Sequence, residues 1–326
     1  MKLSAALKRN RIQRLGFVSG LMVLLLTAPP AAARPGTGGS YSAEFLRLGT
    51  GAYGAAMGDA MTAAATGVQA PHYNPAGLAW TVRNEAAASY QNLVLDINYG
   101  DLVFVHPFRT AGAMSAEVKF IDYGTIERNT LTTAGLFVSG QRVGDFGAHD
   151  LAASLGYGRA FGNLAVGANI KLVTSKLDDA SATVLAGDFG LQWAFEDYPV
   201  TVGATLKNFG TKMQFDVKKE SLPLLGRAGA SFRLFDDKML VNLEVEKASK
   251  EQAAILMGVE YRVVRFLDLR AGFDDRNEIQ NGWTAGLGAH FGDLDFDYAF
   301  IPYGVLGNNH RVGLRYRFGP IRTRRP

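Results

Sequence analysis

The chain contains no cysteine, and this absence removes several kinds of chemistry. Without thiols there is no disulfide, no cysteine-ligated zinc, no thiol nucleophile and no lipidated N-terminal cysteine. Histidine is also scarce, with five residues in 326. None of the five lies in an HExxH or nucleophile-elbow sequence. We therefore expect no catalytic residue, no metal site and no cofactor.

Long apolar runs are missing as well, apart from one near the N-terminus. Five basic residues between positions 2 and 14 precede an apolar run at 15–26 and Ala31-Ala32-Ala33. This order predicts a secretory signal peptide over residues 1–33, cleaved after Ala33. Its removal takes away five basic residues and no acidic ones, so the mature chain is nearly neutral and no nucleic-acid partner is expected. An exported chain without a stretch of about 18 apolar residues is periplasmic, secreted or a β-barrel.

The last strand, residues 311–318, favours the barrel. Successive strand residues point to opposite faces, so one face is apolar and aromatic and the other carries three arginines and a glycine. The two faces are Val312, Leu314, Tyr316 and Phe318, and Arg311, Gly313, Arg315 and Arg317. This alternation is typical of a wall with lipid outside and a polar lumen inside. The spacing of Arg311, Gly313, Tyr316 and Phe318 also resembles the signal by which the bacterial barrel-assembly machinery recognises a closing strand.

The preceding strand carries acidic residues on the corresponding face. A turn centred near Leu306 would set Asp297 opposite Arg315 and Asp295 opposite Arg317, which predicts lumenal ion pairs. The alternative interpretation is an exposed, salt-bridged hairpin on a soluble β-protein.

The region from about residue 85 onward divides into about fourteen segments of roughly ten residues with period-two patterning. This predicts an all-β fold, a transmembrane antiparallel barrel of about 14 strands over residues 83–319, followed by a short basic tail at 320–326. The longest loops are expected at residues 123–145 and 209–223. The polar lumen either lines a water channel or fills the barrel.

Residues 34–82 lack strand patterning and are rich in alanine, glycine and methionine. We expect a helix around residues 54–64, and a second turn in which Asn74 is the N-cap and Pro75 the first helical residue. Such a segment has no place in the wall and is predicted to fold into the lumen as a plug. The residues expected to contact the lumen and to shape any apolar pocket are Phe45, Leu46, Met57, Met61, Tyr73, Asn74, Pro75, Ala76, Gly77 and Leu78.

Three motifs in this chain resemble the FadL-like superfamily of outer-membrane barrels, and more closely its PorV/PorQ branch. They are Phe45-Leu46-Arg47-Leu48-Gly49-Thr50-Gly51-Ala52 with Ala55-Ala56-Met57-Gly58-Asp59-Ala60, Asn74-Pro75-Ala76-Gly77-Leu78-Ala79, and the closing hairpin that begins at Asp297. Thr66-Gly67 and Pro71-His72 depart from the branch pattern, so the contacts of the plug in relatives need not carry over.

The resemblance implies a plugged fourteen-stranded barrel in the outer membrane and two roles. FadL-like members pass small hydrophobic molecules, whereas PorV-like members are accessory components of type IX secretion and gliding systems. The expected partners are therefore outer-membrane lipid, the barrel-assembly machinery, and either a hydrophobic small molecule or a secretion-system protein. An outer-membrane lipid hydrolase is the alternative from a different class.

Overall fold

The structure, a computed structural model, describes residues 41–93, 96–109, 111–134, 137–215, 218–276, 282–304 and 307–322. The predicted signal peptide and its cleavage site after Ala33 lie outside the described residues. Among the residues that are described, no helix is both long enough and apolar enough to cross a membrane.

Fourteen antiparallel strands form one closed barrel, which confirms the predicted fold class. Strand β1 pairs with both β2 and β16, so the first and last strands of the chain close the cylinder. Strands β8 and β9 form a separate hairpin. The strands are β1 (Asn84–Asn92), β2 (Asn98–Phe108), β3 (Gly112–Ala134), β4 (Phe137–Phe161), β5 (Leu164–Leu177), β6 (Ala180–Ala194), β7 (Val200–Gly210), β8 (Met213–Phe215), β9 (Lys218–Glu220), β10 (Leu225–Leu234), β11 (Met239–Ala248), β12 (Ala253–Val264), β13 (Leu267–Asp274), β14 (Trp283–Phe291), β15 (Leu294–Pro302) and β16 (Asn308–Phe318).

Side chains alternate between the outer surface and the lumen along each strand. On β5, Ile170 and Leu172 are more than half exposed on the outside, whereas Asn169 and Lys171 are buried in the lumen. Apolar residues outside and polar residues inside are the arrangement expected of a wall in contact with lipid.

The two ends of the barrel differ in their connections. At one end, here called the turn end, neighbouring strands are joined by short turns such as 162–163, 265–266 and 292–293. At the opposite end, here called the loop end, one connection spans residues 211–224. Exposed aromatic side chains surround the turn end, as in the aromatic girdle of a membrane barrel. They include Phe108, Phe161, Phe195, Phe235, Phe266 and Phe291.

The loop predicted at residues 123–145 is wrong. Strands β3 and β4 continue as a hairpin beyond their other partners, with register shifts at Asp122/Thr125 and Arg128/Asn129. Among the described residues, β2 pairs with β3 only as far as Asp122, β5 pairs with β4 only from Ala148, and residues 127–129 and 142–145 are exposed. Exposed side chains need not show the apolar alternation that reveals a strand. The loop predicted at 209–223 likewise contains the small β8–β9 hairpin.

The register predicted for the last hairpin is also wrong. Asp295 lies opposite Arg315, and Asp297 lies opposite Gly313. Gly304 and Gly307 adopt positive φ angles, and Tyr303 N donates to Gly307 O at 2.8 Å. The pairing is therefore displaced by two residues from the predicted register.

The segment before the barrel is a chain of short helices. They are a 3₁₀ helix (Glu44–Arg47), helix α1 (Gly51–Ala56), a 3₁₀ helix (Gly67–Gln69), helix α2 (Ala70–Tyr73) and a 3₁₀ helix (Pro75–Trp80). The helix predicted at 54–64 is therefore wrong in extent. Gly58 and Asp59 have left-handed φ angles of 60° and 58°, so the helix cannot continue through them. The predicted cap at Asn74 is confirmed, since its side chain accepts from Ala76 N.

Candidate functional site

The segment from Tyr41 to Trp80, here called the plug, runs through the lumen from one end to the other. At the loop end, the Tyr41 hydroxyl lies 3.2 Å from Ser249 Oγ, and Ser42 N donates to Ser221 O at 3.1 Å. The chain leaves the lumen at the turn end, where β1 begins at Asn84. The plug therefore separates the two mouths of the barrel.

Inward-facing glycines allow the plug backbone to lie directly on the wall. A Cβ atom at Gly167 would come within 2.3 Å of the Pro75 carbonyl, and one at Gly272 would lie 2.0 Å from Gly58 N. Any other residue at these positions would displace the plug. The wall glycines that touch the plug in this way are Gly158, Gly167, Gly190, Gly203, Gly258, Gly272 and Gly286.

Polar wall side chains bond to the plug backbone at several points. Arg311 Nη1 donates to Gly49 O at 2.6 Å, and Gln192 Nε2 donates to the carbonyls of Thr62 and Ala65 at 3.1 and 3.0 Å. Glu244 accepts from Thr62 N at 2.8 Å. Buried backbone groups need such partners, so part of the polarity of the lumen serves to hold the plug.

Asn74 joins the plug to the wall with one side chain. Its Oδ1 accepts from Ala76 N at 3.1 Å, while Nδ2 donates to Thr62 O at 2.8 Å and to Leu191 O on β6 at 2.9 Å. Gly190 gives it room, because a Cβ there would lie 1.9 Å from Asn74 Oδ1. The Asn-Pro sequence is thus a cap and a wall anchor together.

Asp59 is the charged centre of the plug. Its carboxylate accepts from the Tyr73 hydroxyl at 2.6 Å and pairs with Arg276 at 2.5 Å. Burial opposes ionisation, but Arg276, Arg311 and the Tyr73 hydrogen bond outweigh it and lower the pKa of Asp59 to about 2. Asp59 is therefore a carboxylate at neutral pH and ties the plug to the wall beyond β13.

His72 is the second titratable group buried in the plug. Burial, and next the neighbouring Lys119 ammonium, lower its pKa well below the ordinary value. The ring is therefore neutral. Its Nδ1 contacts Lys119 Nζ.

A cavity of about 290 Å³, the loop-end cavity, lies between the plug and the wall. Phe45 and Leu48 border it from the plug, and Ile121, Ile301 and Tyr303 border it from the barrel. Its volume is close to the lower end of the range of small-molecule sites, roughly 300–1,000 Å³.

The two sides of the lumen at this end have opposite chemistry. The side formed by β3–β6, the apolar wall, packs Ile121, Ala152, Val173 and Val184 against Phe45. On the other side, the ionic wall, Arg227 lies 3.2 Å from Glu244 and also contacts Glu246. Glu246 is shared with Arg47 and Arg276. Arg47 and Arg276 line the cavity and connect it to this network, whereas Phe45, Leu48 and Ile121 give it an apolar side.

A second cavity of about 440 Å³ lies at the turn end and is lined mainly by charged residues. Asp295 is fully buried there and pairs with Arg315 at 2.7 Å and Arg317 at 3.0 Å. Asp297 pairs with Arg270 at 2.6 Å. The predicted lumenal aspartates and arginines thus do form ion pairs, but Arg270, which was not predicted, is the partner of Asp297.

The ten predicted plug residues do not all border a cavity. All ten are buried. Phe45 borders the loop-end cavity and Met61 the turn-end cavity, whereas the remaining eight line neither and pack against the wall or one another. Of the predicted assembly residues, Arg311 and Gly313 face the lumen, and the Tyr316 ring stacks on that of Phe318 at 5.6 Å.

Sequence reasoning missed the wall side of the site. Arg227, Glu244 and Gln192 come from strands distant in sequence from the plug, and no local pattern links them to it. The inward glycines carried a usable signal, since each falls at a position where the alternation calls for a lumenal side chain. Beyond β13, Arg276 lies 2.7 Å from the Asp274 carboxylate.

The fold resembles those of solved hydrocarbon channels. A TodX monoaromatic hydrocarbon channel with the S2 and S3 segments deleted superposes with a TM-score of 0.60 at 14% identity, over 83% of this chain and 99% of that one. A TodX variant with only S2 deleted superposes with a TM-score of 0.60 at 15% identity, over 82% of this chain and 99% of that one. A FadL homologue from Pseudomonas aeruginosa superposes with a TM-score of 0.56 at 12% identity, over 83% of this chain and 99% of that one. No protein-family model matches the chain, and no curated protein matches its sequence.

Proposed function

We propose that this protein is an outer-membrane channel that binds a small hydrophobic molecule in the loop-end cavity and passes it along a displaced plug. The observation that carries the proposal is the cavity itself, with Phe45 and Leu48 on one side and Ile121 and Ile301 on the other. In outer-membrane barrels the short turns face the periplasm, so the loop-end cavity would open toward the cell exterior. The likeness to the TodX and FadL folds supports the same assignment.

The charges around the cavity favour a neutral ligand. Arg47 is engaged by Glu251 at 2.5 Å, and Arg276 by Asp59 and Asp274. The third cation of the lining, Arg311, donates to Gln91 Oε1 and to Gly49 O, each at 2.6 Å. A carboxylate ligand would therefore have to break an ion pair or a plug contact to reach a cation, whereas an apolar molecule contacts the aliphatic side without disturbing them. Toluene should therefore bind more tightly than benzoate.

Filling the cavity tests the binding site. Leu48→Trp places an indole where the ligand would lie and should weaken toluene affinity about tenfold or more, measured by calorimetry on the protein in detergent. Leu172→Trp adds the same ring to the outer surface of β5 and is the matched control. Equal toluene affinity for both variants would contradict a ligand site in the loop-end cavity.

The absence of cysteine allows a direct test of plug displacement. Ala52 in the plug faces Gly313 on β16, and a Cβ atom at Gly313 would lie 3.5 Å from the Ala52 Cβ, which is within the range of a disulfide, so the pair Ala52→Cys and Gly313→Cys can be crosslinked. Oxidation should reduce toluene uptake into proteoliposomes, and a reductant should restore it. Each single-cysteine variant is the control. Unchanged uptake by the oxidised double variant would show that passage does not need plug movement.

A second candidate function is anchoring of a secretion or surface partner. The observation that favours it is the β3–β4 extension, in which residues 125–134 and 137–146 have no partner strand on their outer edges within the described part of the chain. Open edges are sites of strand addition by another protein. Deleting residues 126–145 should abolish capture of a crosslinked partner while sparing toluene binding. Partner capture that survives the deletion would contradict this role.

A further inference from the structure

The hydroxyl groups that line the loop-end cavity differ in whether they have a partner. The charged side chains of the lining all form ion pairs or plug contacts. Three lining residues carry a hydroxyl, namely Tyr123, Thr284 and Tyr303. Tyr123 donates to a carboxylate of β4 at 2.9 Å, and Thr284 donates to the last carbonyl of α1 at 3.3 Å. Tyr303 is the exception among the described residues of the lining.

The Tyr303 hydroxyl donates to no residue that the structure describes. Tyr303 follows β15 and lies outside the strands. Burial raises the pKa of its phenol, so the hydroxyl keeps its proton at neutral pH. The charges that act on it most strongly are those of Arg311, Asp274 and Asp59, and all three residues line the cavity. The hydroxyl is therefore a free donor at the cavity.

A second donor lies beside it. The side-chain amide of Asn309 on β16 acts on the Tyr303 hydroxyl, and the Asn309 residue is only 2% exposed. Its Nδ2 makes no hydrogen bond within the described ranges. Donors that are removed from water without an acceptor are unfavourable, so this corner of the site lacks an accepting atom.

The turn after β15 holds the ring of Tyr303 in place. Tyr303 N donates to Gly307 O at 2.8 Å, and Gly304 and Gly307 provide the positive φ angles of this turn. The ring packs against the apolar clusters that contain Phe45 and Ile301. The free donor is thus fixed beside the apolar residues of the cavity.

We infer that the molecule bound in the loop-end cavity is neutral and carries one oxygen acceptor, to which the Tyr303 hydroxyl donates. The inference rests on the proposed binding site and narrows its substrate class to oxygenated compounds such as phenols and aromatic alcohols. A hydrocarbon would fill the same space but would leave the hydroxyl without an acceptor once water is displaced. A carboxylate would bring an acceptor but would find no free cation among the described residues of the lining.

The test compares p-cresol with toluene, which differ by one hydroxyl group. Calorimetry on the mature protein in detergent gives the ratio of their affinities. Tyr303→Phe removes only the donor and should lower the ratio of p-cresol affinity to toluene affinity about fivefold. Tyr123→Phe is the matched control. It removes a hydroxyl from the same cavity that is already bonded to Asp150, so the ratio should remain at the wild-type value.

An equal ratio in the wild-type protein and in Tyr303→Phe would overturn the inference, and so would an equal fall in both variants. Toluene binding that is weakened by Leu48→Trp would then leave the proposed site intact, because that test does not depend on Tyr303. If neither ligand binds to the wild-type protein, both proposals are wrong.

Should Tyr303→Phe fail to fold, wild-type crystals soaked in 4-bromophenol decide the matter. The ligand hydroxyl should lie within hydrogen-bond distance of Tyr303 Oη, and the anomalous peak of the bromine should lie at the far end of the ring. A bromine peak beside Tyr303 Oη would refute the inference.

Discussion

The apolar wall and the ionic wall face each other across the same lumen at the same end of the barrel, yet they stabilise the plug in different ways. The apolar wall packs Ile121 and Val173 against Phe45. The ionic wall holds the plug through Arg276 on Asp59 and Glu244 on Thr62. Lumen-facing positions are therefore not uniformly polar, and the division between the two walls gives the loop-end cavity its two-sided character.

Removing a charge from the ionic wall should have the largest effect on stability. Arg227→Met leaves Glu244 and Glu246 buried without their main partner, which should cost about 3–5 kcal/mol of unfolding free energy. Urea unfolding in detergent, followed by heat-modifiable gel mobility, measures the loss. Arg128→Met breaks an exposed pair with Asp178 and should cost less than about 1 kcal/mol. Similar losses in both variants would contradict the buried network.

Truncating a side chain of the apolar wall should lower the unfolding free energy by a smaller amount. Ile121→Ala should lower the unfolding free energy by about 2 kcal/mol, at the low end for such truncations, because Ile121 borders a cavity that is already present. The same urea titration measures it. Ile170→Ala, on the outer surface of β5, is the control and should lose less. A greater loss from the surface variant would remove the distinction between the two faces of the wall.

The smallest expected effect is a change in acid sensitivity. Ionised Asp59 stabilises the folded protein fully above the ordinary carboxyl pKa of 3.8, and this contribution is lost as the pH falls toward about 2. Asp59→Asn should thus remove on the order of 1–2 kcal/mol of the stability change between pH 5 and pH 2. Unfolding titrations at several pH values measure the slope. Asp145→Asn removes an exposed carboxylate and is the control, and it should leave the slope of unfolding free energy against pH unchanged.

Most of the wall could be predicted because its signal is local. Alternation such as Ile170 with Lys171 depends only on which side of one strand meets the lumen, and that side is fixed by the period of two. The closing aromatics and the Asn74 cap are also local features. The β3–β4 extension was missed because its described side chains at 127–129 and 142–145 are exposed, so they are under no requirement to alternate.

The site itself could be predicted only in part. Phe45 was found from its place in the plug, but the cavity beside it also needs Ile121 and Ile301, which lie on strands far away in sequence. Asn74 was likewise predicted only in part. Its capping role follows from Pro75, the next residue, whereas its hydrogen bond to Leu191 O depends on how the barrel closes. Contacts between distant segments carry no periodic pattern in a single sequence.

The pairing of β1 with β16 also bears on the order of assembly. This seam joins Asn84 to Phe318 and needs the last residues of the barrel before it can form. The plug precedes β1 in the chain and fills the lumen from mouth to mouth, with its carbonyls against glycines of the wall. Threading it through a finished cylinder would require breaking those contacts one after another. We therefore expect the sheet to wind around a plug that is already seated, so that the plug templates the cylinder in which it is found.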